Sequence, residues 1–227
     1  MNEIFSIAID GPAGAGKSSV AKEAAKRLGA VYLDTGAMYR AAGLYMTRLG
    51  ISLEDEAAVV AHMRELPLRV TSDGGKQVTW LGEENVSQAI RTPEMSLAAS
   101  AVSKYPEVRA QLVEMQRAIA RGQSVVMDGR DIGTKVLPEA TLKIWLTASA
   151  EVRAHRRWLE LKEKGVEEDE AKVLEELRQR DWDDAHRAAS PMVRAEDAVE
   201  LDTSFLTYEQ VIEKTVSLAE AAIGGAK

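Results

Sequence analysis

The sequence predicts an α/β fold in which a five-stranded parallel sheet is flanked by helices. Five short apolar runs are separated by helical patterns, and this alternation favours parallel strands that are buried on both faces. Two segments depart from it. Residues 68–82 alternate apolar and polar side chains on both sides of an Asp-Gly-Gly turn, which predicts an antiparallel hairpin. Residues 150–186 have the pattern of two arginine-rich helices that are hinged at Gly165.

The first strand, residues 4–9, ends at Asp10 and leads into the sequence GPAGAGKSS. A G-x-x-x-x-G-K-S motif between a strand and a helix forms a phosphate-binding loop, or P-loop. Backbone N–H groups surround phosphate oxygens there, while Lys17 can reach the β- and γ-phosphates and the Ser18 hydroxyl can ligate Mg²⁺. The fold is therefore predicted to be of the P-loop NTPase type. The residues predicted to bind the phosphates of ATP are Gly11, Pro12, Ala13, Gly14, Ala15, Gly16, Lys17, Ser18 and Ser19.

Four more apolar runs complete the predicted sheet, and a helix over residues 19–28 follows the P-loop. These runs are residues 31–34, 124–127, 142–146 and 199–201. Ligands of parallel sheets bind beyond the carboxyl ends of the strands, and Asp10, Asp34 and Asp128 all lie at or directly after such an end. Asp128 stands where a carboxylate would hold Mg²⁺ directly or through water, although an aspartate at this place can also simply cap the turn.

The two departing segments define the predicted domain organisation. Residues 1–65, 104–149 and 188–227 form a core, residues 66–103 an inserted subdomain and residues 150–187 an arginine-rich helical hairpin. This hairpin carries Arg153, Arg156 and Arg157. By composition alone, an arginine-rich helical hairpin on an acidic protein is more often an exposed face with ion pairs.

The composition excludes several classes of function. With no cysteine among its 227 residues, the chain has no disulfide framework, thiolate metal site or cysteine nucleophile. The net charge of −7 argues against a general surface for nucleic acids or membranes, because both polyanions need a basic face. The sequence has neither a signal-peptide pattern nor an apolar run long enough to cross a bilayer, so we expect a cytoplasmic protein.

Charged residues that follow strand ends are candidates for binding a second anion. In the sequence DTGAMYR, Arg40 lies near the start of a helix and can meet an anion at the sheet edge. An isolated arginine in such a helix would more often lie on the surface. In the sequence DGRDIG, Arg130 and Asp131 come directly after the third strand, where a turn without a ligand is the alternative interpretation.

Seven short motifs occur in a specific order along residues 4–213. They are GPAGAGKSS, DTGAMYR, SQAIRT, AVSKYPEVR, DGRDIGT, AHRRWLELKEKG and RDWDDAHRAASPM. The P-loop alone is shared with many kinases, whereas DxGAxYR, SxxIRT, DGRD and RDxxDxxR together are specific. The sequence thus resembles the bacterial cytidylate kinase family of nucleoside monophosphate kinases. The resemblance implies an inserted subdomain that binds the monophosphate, ATP as phosphate donor and Mg²⁺ as cofactor. It also implies that residues 150–187 form a lid, with Arg153, Arg156 and Arg157 as its site residues.

The resemblance also implies roles for individual residues. Catalytic roles fall to Lys17, Arg130, Arg180 and Arg187, and a metal would be held by Ser18 and Asp128. The residues implied to bind CMP are Thr35, Tyr39, Arg40, Ser100, Arg109, Arg130, Asp131, Arg180, Asp184 and Arg187. Of these, Ser100, Arg109 and Asp131 match cytosine contacts, and Asp184 with Arg180 matches ribose contacts. Thr35 stands where relatives often carry serine, and this exchange keeps the hydroxyl.

We therefore expect an ATP-dependent kinase that converts CMP and dCMP to their diphosphates in pyrimidine nucleotide metabolism. Its partners would be these small molecules, and we expect a monomer with no obligate protein partner. A GTPase switch shares the P-loop, but neither Asn2 nor Asn85 belongs to an N-K-x-D motif that reads guanine. Two further alternatives are another small-molecule kinase, for shikimate or AMP, and a non-catalytic nucleotide-binding protein.

Overall fold

A parallel sheet of five strands forms the centre of the computed structural model, which describes residues 4–225. The strands of this sheet and of a second, smaller sheet are β1 (Ser6–Asp10), β2 (Val31–Asp34), β3 (Leu68–Asp73), β4 (Lys76–Leu81), β5 (Glu84–Asn85), β6 (Val125–Gly129), β7 (Leu142–Thr147) and β8 (Val199–Asp202). The central sheet has the order β2-β6-β1-β7-β8, and all its pairings are parallel. The predicted α/β fold with five parallel strands is confirmed.

Helices cover both faces of this sheet. The helices among residues 4–225 are α1 (Lys17–Leu28), α2 (Thr35–Arg48), α3 (Glu56–Met63), α4 (Pro93–Ser103), α5 (Pro106–Ala120), α6 (Ala150–Glu163), α7 (Glu170–His186) and α8 (Tyr208–Gly225). Successive strand residues point to opposite faces, so Ala8 packs on the side of α2 while Ile7 and Ile9 pack on the side of α1 and α8. The sheet is therefore buried on both sides, as its continuous apolar strands predict.

A second sheet, of order β3-β4-β5, is antiparallel. Its first two strands form the predicted hairpin, and the turn consists of Gly74 and Gly75, both with positive φ. The third strand was not expected from the sequence. Leu68 and Leu81 of this sheet lie in one hydrophobic cluster with Met38 of α2, which fixes the insertion against the core.

The predicted boundaries of core, insertion and lid remain a prediction. The first three and the last two residues of the predicted core lie outside the described residues. The helical hairpin of α6 and α7 turns at Gly165, and the indole N–H of Trp158 donates to the carbonyl of Glu168 across the turn at 3.0 Å. Within residues 4–225, the structure contains no helix of the length and apolarity that a membrane span requires.

Candidate active site

The loop between β1 and α1 is shaped by backbone rather than by side chains. Gly11 has φ +146°, and a Cβ there would lie 2.0 Å from the carbonyl oxygen of Leu146 in β7, so only glycine fits. Gly16 precedes α1 without a side-chain cap on the helix. The N–H groups of the first turn of α1 are therefore available to an anion, and the helix dipole favours negative charge there.

Lys17 lies at the start of α1 with its side chain almost fully buried. Its ammonium donates to the carbonyl of Pro12 at 2.7 Å, across the loop. Burial and, next in weight, the neighbouring Arg130 lower the pKa of Lys17 well below its ordinary value, while Asp128 opposes the shift. A buried cation that is crowded by another cation and only partly compensated favours the arrival of an anion, such as a phosphate.

Ser18 and Asp128 meet beside the loop. The Ser18 hydroxyl donates to Oδ2 of Asp128 at 2.7 Å, and the Tyr32 hydroxyl donates to Oδ1 of the same carboxylate at 2.9 Å. Burial, with a smaller contribution from Asp34, raises the pKa of Asp128 to about 6. The oxygens of Ser18 and Asp128 are the kind of ligand that Mg²⁺ prefers.

A continuous chain of opposite charges lies beyond the carboxyl end of β6. Arg130 donates from Nε to Asp184 at 2.9 Å, and Nη1 of Arg187 lies 3.5 Å from the other oxygen of Asp184. Arg187 is also 3.8 Å from Asp131, which forms a buried ion pair with Arg109. This series of ion pairs joins the end of β6, helix α5 and the end of α7, three segments that are distant in sequence.

We call the site lined by Arg40, Arg109, Arg130, Arg180 and Arg187 the arginine pocket. Burial and, next, Arg130 lower the pKa of the Arg180 guanidinium to about 10, and Arg40 adds to this effect. The pKa of Arg187 is lowered as well, by burial and then by Arg109. Positive charge therefore exceeds what the local carboxylates neutralise, which is the electrostatic condition of an anion site.

Several polar atoms in this pocket are buried without a partner. Among residues 4–225, seven buried side-chain N or O atoms have no hydrogen-bond partner, and five of them belong to residues predicted to bind CMP. These five are Oη of Tyr39, Nε of Arg40, Nε of Arg109, Nε of Arg180 and Nη2 of Arg187. Buried polar groups are normally satisfied, so a cluster of unpaired donors indicates a place that a polar ligand fills.

Thr35 and Ser100, also predicted to bind CMP, contact the protein itself. The Thr35 hydroxyl donates to the carbonyl of Asp128 at 2.7 Å, which leaves only its lone pairs for a ligand. Ser100 is half-buried on α4, and its carbonyl accepts from the Ser103 hydroxyl at 2.9 Å. The carbonyl of Ser103 in turn accepts from Arg109 at 3.4 Å, so Ser100 lies near the predicted cytosine contacts.

The three arginines predicted for the lid take different positions. Arg153 is buried and donates to the carbonyl of Ala13 at 2.8 Å and to Asp181 at 2.6 Å. Asp181 also accepts from the N–H of Ala13 at 2.9 Å, so α6, α7 and the P-loop are tied together. Arg156 donates to the carbonyl of Thr203 at 2.7 Å. Arg157 pairs with its helix neighbour Glu160 at 2.8 Å and is partly exposed.

Asp10 links the P-loop strand to the arginine pocket. Its two carboxylate oxygens accept from the N–H groups of Ile132 and Gly133 at 2.8 and 2.7 Å. These residues begin a π-helical turn, Ile132–Val136, directly after Arg130 and Asp131. Burial raises the pKa of Asp10 to about 6 even though both N–H bonds oppose the shift. A single side chain therefore positions the loop that carries Arg130 and Asp131.

Comparison with known proteins identifies the family to which this site belongs. A family model described as "Cytidylate kinase" matches residues 7–221. The chain belongs to the cytidylate kinase family. A curated cytidylate kinase from Caldanaerobacter subterraneus subsp. tengcongensis is 52% identical over 214 residues, which cover 94% of each chain. One from Nocardia farcinica is 51% identical over 209 residues, 92% of this chain and 90% of the relative.

A more distant similarity supports the fold alone. The crystal structure of a gluconokinase from Sinorhizobium meliloti 1021 matches with a TM-score of 0.52 and 14% identity, over 98% of this chain and 95% of that chain.

Membership of the cytidylate kinase family confirms the prediction that the protein is an enzyme of the kinase class. The assignment of individual residues to substrates remains a prediction.

Two residues of the site in this cytidylate kinase family member are not predicted from the sequence. The sequence predicts Tyr32 only as part of a strand, yet its hydroxyl donates to Oδ1 of Asp128. Arg91 pairs with Asp34 at 3.0 Å, next to Arg40 on the same oxygen. A signal for Arg91 was present, because it is the arginine of the SQAIRT motif. Nothing in the sequence distinguishes Tyr32 from an ordinary strand tyrosine.

Proposed function

We propose that this protein transfers the γ-phosphoryl group of ATP to CMP and dCMP, giving ADP and CDP or dCDP. The observation that carries the proposal is the arginine pocket, in which five buried polar atoms have no hydrogen-bond partner, and burial and neighbouring arginines lower the pKa of Arg180 and Arg187. A nucleoside monophosphate supplies the missing acceptors and a dianionic phosphate. Both substrates are small molecules, so the reaction requires no protein partner, nucleic acid or membrane.

Recognition of the cytosine base falls to Arg109 and Asp131, which are both buried and form an ion pair with each other. Cytosine presents acceptors at N3 and O2 and a donor at its exocyclic amine, so a guanidinium together with a carboxylate complements its edge. Uracil would place its O4 acceptor toward a carboxylate. Because the wrong base leaves buried groups unpaired, such a site discriminates strongly between the two pyrimidines.

Catalysis in this proposal is mainly electrostatic. Lys17 and the N–H groups of the P-loop hold the donor phosphates, while Arg130, Arg180 and Arg187 neutralise the oxygens that gain negative charge as the phosphoryl group moves. The attacking oxygen belongs to the acceptor phosphate, which is already anionic, so no general base is required. Closure of the α6–α7 hairpin over the phosphates would exclude water that otherwise hydrolyses ATP.

Ser18 and Asp128 would hold Mg²⁺, directly or through water. Their oxygen atoms lie 2.7 Å apart, and both are hard donors that suit this ion. Within residues 4–225 there is no group of three or more His, Cys, Asp or Glu that could hold a metal by itself. This fits an ion that takes its remaining ligands from phosphates and water, as Mg²⁺ does with nucleotides. When bound, the ion would neutralise phosphate charge and orient the donor.

Steady-state kinetics with ATP as donor and CMP, dCMP, UMP, AMP and GMP as acceptors test the proposal. We expect the highest kcat/KM for CMP or dCMP. A clear preference for any other acceptor would refute the substrate assignment and leave the kinase class intact. Absence of ADP formation above background with every acceptor, at saturating Mg²⁺ and ATP, would instead favour a non-catalytic nucleotide-binding protein.

A further inference from the structure

Asp34 stands at the junction of three structural elements. It is the last residue of β2 and caps helix α2, because its Oδ1 accepts from the N–H of Ala37 at 2.8 Å. Its other oxygen, Oδ2, lies 2.9 Å from Nη2 of Arg40 and 3.0 Å from Nη2 of Arg91. Arg40 belongs to α2, whereas Arg91 ends a short 3₁₀ turn of the insertion. One carboxylate oxygen thus joins two guanidinium groups from different parts of the chain.

The insertion also contacts the backbone of Asp34. Gln77 of β4 accepts from the N–H of Asp34 at 2.6 Å and donates to the carbonyl of Asp34 at 3.2 Å. Strand β2 is an edge strand of the central sheet, so Gln77 bonds to its free edge as a neighbouring strand would. The insertion is therefore joined to Asp34 by the backbone, through Gln77, and by the side chain, through Arg91.

The charges explain why the carboxylate matters. Burial of Asp34 acts to raise the pKa of its carboxyl, but Arg40 and Arg91 outweigh burial and hold the pKa below its ordinary value. The group is consequently ionised at neutral pH. Two guanidinium groups share this single negative charge. Arg40 still has a buried Nε without a partner, so its position is set by Asp34 while it retains a donor for a ligand.

We propose that Asp34 is a positioning residue that aims Arg40 at the acceptor phosphate and couples this arrangement to the insertion through Arg91. The inference rests on the proposed function, because the acceptor phosphate is the anion that Arg40 would bind. Its consequence is an asymmetry between the substrates. Loss of the Asp34 charge impairs binding of the acceptor phosphate. The P-loop, which does not contact Asp34, binds ATP as before.

The central experiment compares wild type with Asp34→Asn. Asparagine keeps the size of the side chain and an oxygen that caps Ala37, but it cannot pair with two guanidinium groups. We expect KM for CMP to rise about tenfold or more, as the loss of a charge-assisted hydrogen bond implies, with KM for ATP within about twofold. If Asp34 only weakens phosphate binding through its negative charge, KM for CMP falls instead, and the proposal is refuted.

Arg91→Gln and Arg91→Lys test the second half of the coupling. Arg91 is half-exposed, so its replacement does not threaten the fold. Arg91→Gln should raise KM for CMP in the same direction by a smaller factor, and Arg91→Lys should restore part of the loss. The double variant with Asp34→Asn should resemble Asp34→Asn alone, because both substitutions break the same contact. Additive effects would show that Arg91 acts independently of Asp34.

Hydrogen exchange over residues 77–91 in the absence of nucleotide provides a readout that does not depend on the substrate. We expect faster exchange in Asp34→Asn than in wild type; unchanged exchange would contradict the coupling. This result is interpretable even if wild type does not phosphorylate CMP, so failure of the proposed function and failure of the coupling are distinguishable.

Glu84→Gln is the matched control for these variants. It breaks an exposed ion pair with Arg48, at 2.6 and 2.8 Å, that also joins α2 to the insertion but does not involve Asp34. The control should leave both KM values unchanged. A rise in KM for CMP equal to that of Arg91→Gln would refute a specific role for the Asp34 contacts.

Discussion

The P-loop and the arginine pocket offer different physical means of binding anions. The P-loop offers backbone N–H groups, a helix terminus and a glycine packed against the carbonyl of Leu146. The arginine pocket offers side chains that converge from the end of β6, from α5 and from the end of α7. A backbone site recognises phosphate in any nucleotide, whereas a side-chain site can recognise one molecule.

This difference explains where the identity of the enzyme resides. Backbone contacts impose few demands on the sequence besides glycine, lysine and a hydroxyl, so the same loop serves many P-loop proteins. The arginine pocket depends on particular charges at particular positions, and in the proposed function an exchange of Arg109 or Asp131 changes the base that is recognised. Three substitutions test this contrast.

Arg130→Met should have the largest effect. Methionine keeps much of the length of the side chain but removes a cation that pairs with Asp184 at 2.9 Å. We expect kcat with CMP to fall by about 10³ or more, because the charge that develops in the transition state loses a preorganised partner. The change is measured by steady-state kinetics at saturating ATP. Arg121→Met, which breaks an exposed pair with Glu114, is the control, and near-normal turnover of Arg130→Met would remove this residue from the site.

Asp131→Ala should change selectivity more than rate. Without this carboxylate, Arg109 keeps a weak hydrogen bond to the carbonyl of Ser103 and its contact with the ring of Tyr39. The group that distinguishes the exocyclic amine of cytosine from the O4 of uracil is then absent. We expect the ratio of kcat/KM for CMP to that for UMP to fall by about 10². KM for ATP should stay within about threefold if the P-loop binds independently. An unchanged ratio would argue against base recognition by Asp131; Asp183→Ala, at an exposed position on α7, serves as the control.

Asp10→Asn should have the smallest effect, and it acts on the connection between the two regions. The pKa of Asp10 is about 6 in the folded protein, above its ordinary value of 3.8, so between these values the folded state holds a proton that the unfolded state has released. This carboxyl therefore makes the free energy of unfolding fall as the pH rises from about 4 to about 6. Asparagine does not ionise, so the Asp10→Asn variant lacks this contribution to the pH dependence of stability.

Urea unfolding of both proteins at several pH values measures this change. The free energy of unfolding of wild type relative to Asp10→Asn should decrease by about 1–2 kcal/mol across the window. Asn also loses one of the two bonds to Ile132 and Gly133, which lowers stability at every pH and does not affect the slope. Parallel pH profiles for the two proteins would contradict the assignment.

Much of the fold could be predicted from the sequence because its signals are local. Apolar runs predict the strands of the central sheet, and Thr207 with Gln210 forms a reciprocal capping box at the start of α8, at 2.9 and 3.3 Å. Strand β5 has only two residues, both exposed, and carries no alternation that could reveal it. The π-helical turn after β6 is held by Asp10, a residue more than a hundred positions away. No local pattern encodes such a contact.

For the site, the sequence indicated which residues are present but not how they pair. Arg153 and Arg157 lie in the same helical pattern, yet Arg153 is buried against the P-loop whereas Arg157 is partly exposed and pairs with Glu160. Arg40 pairs with Asp34 locally, whereas Arg91 reaches the same oxygen from the insertion, whose Gln77 side chain bonds to the edge of β2. The carboxylate that each arginine pairs with depends on tertiary packing. The sequence of a helix alone does not specify the partner of a charged side chain.

The shared hydrophobic cluster between the insertion and α2 has a consequence for protein engineering. Gly43 of α2 lies so close to α4 that a Cβ there would be 2.7 Å from the Cβ of Ala98, and Leu68 and Leu81 fill the same cluster as Met38. The insertion is therefore not a cassette that could be exchanged between kinases to transfer a preference for one nucleotide. A chimaera that imports residues 66–103 alone would leave mismatched surfaces in its interior, and a functional graft would have to include α2 as well.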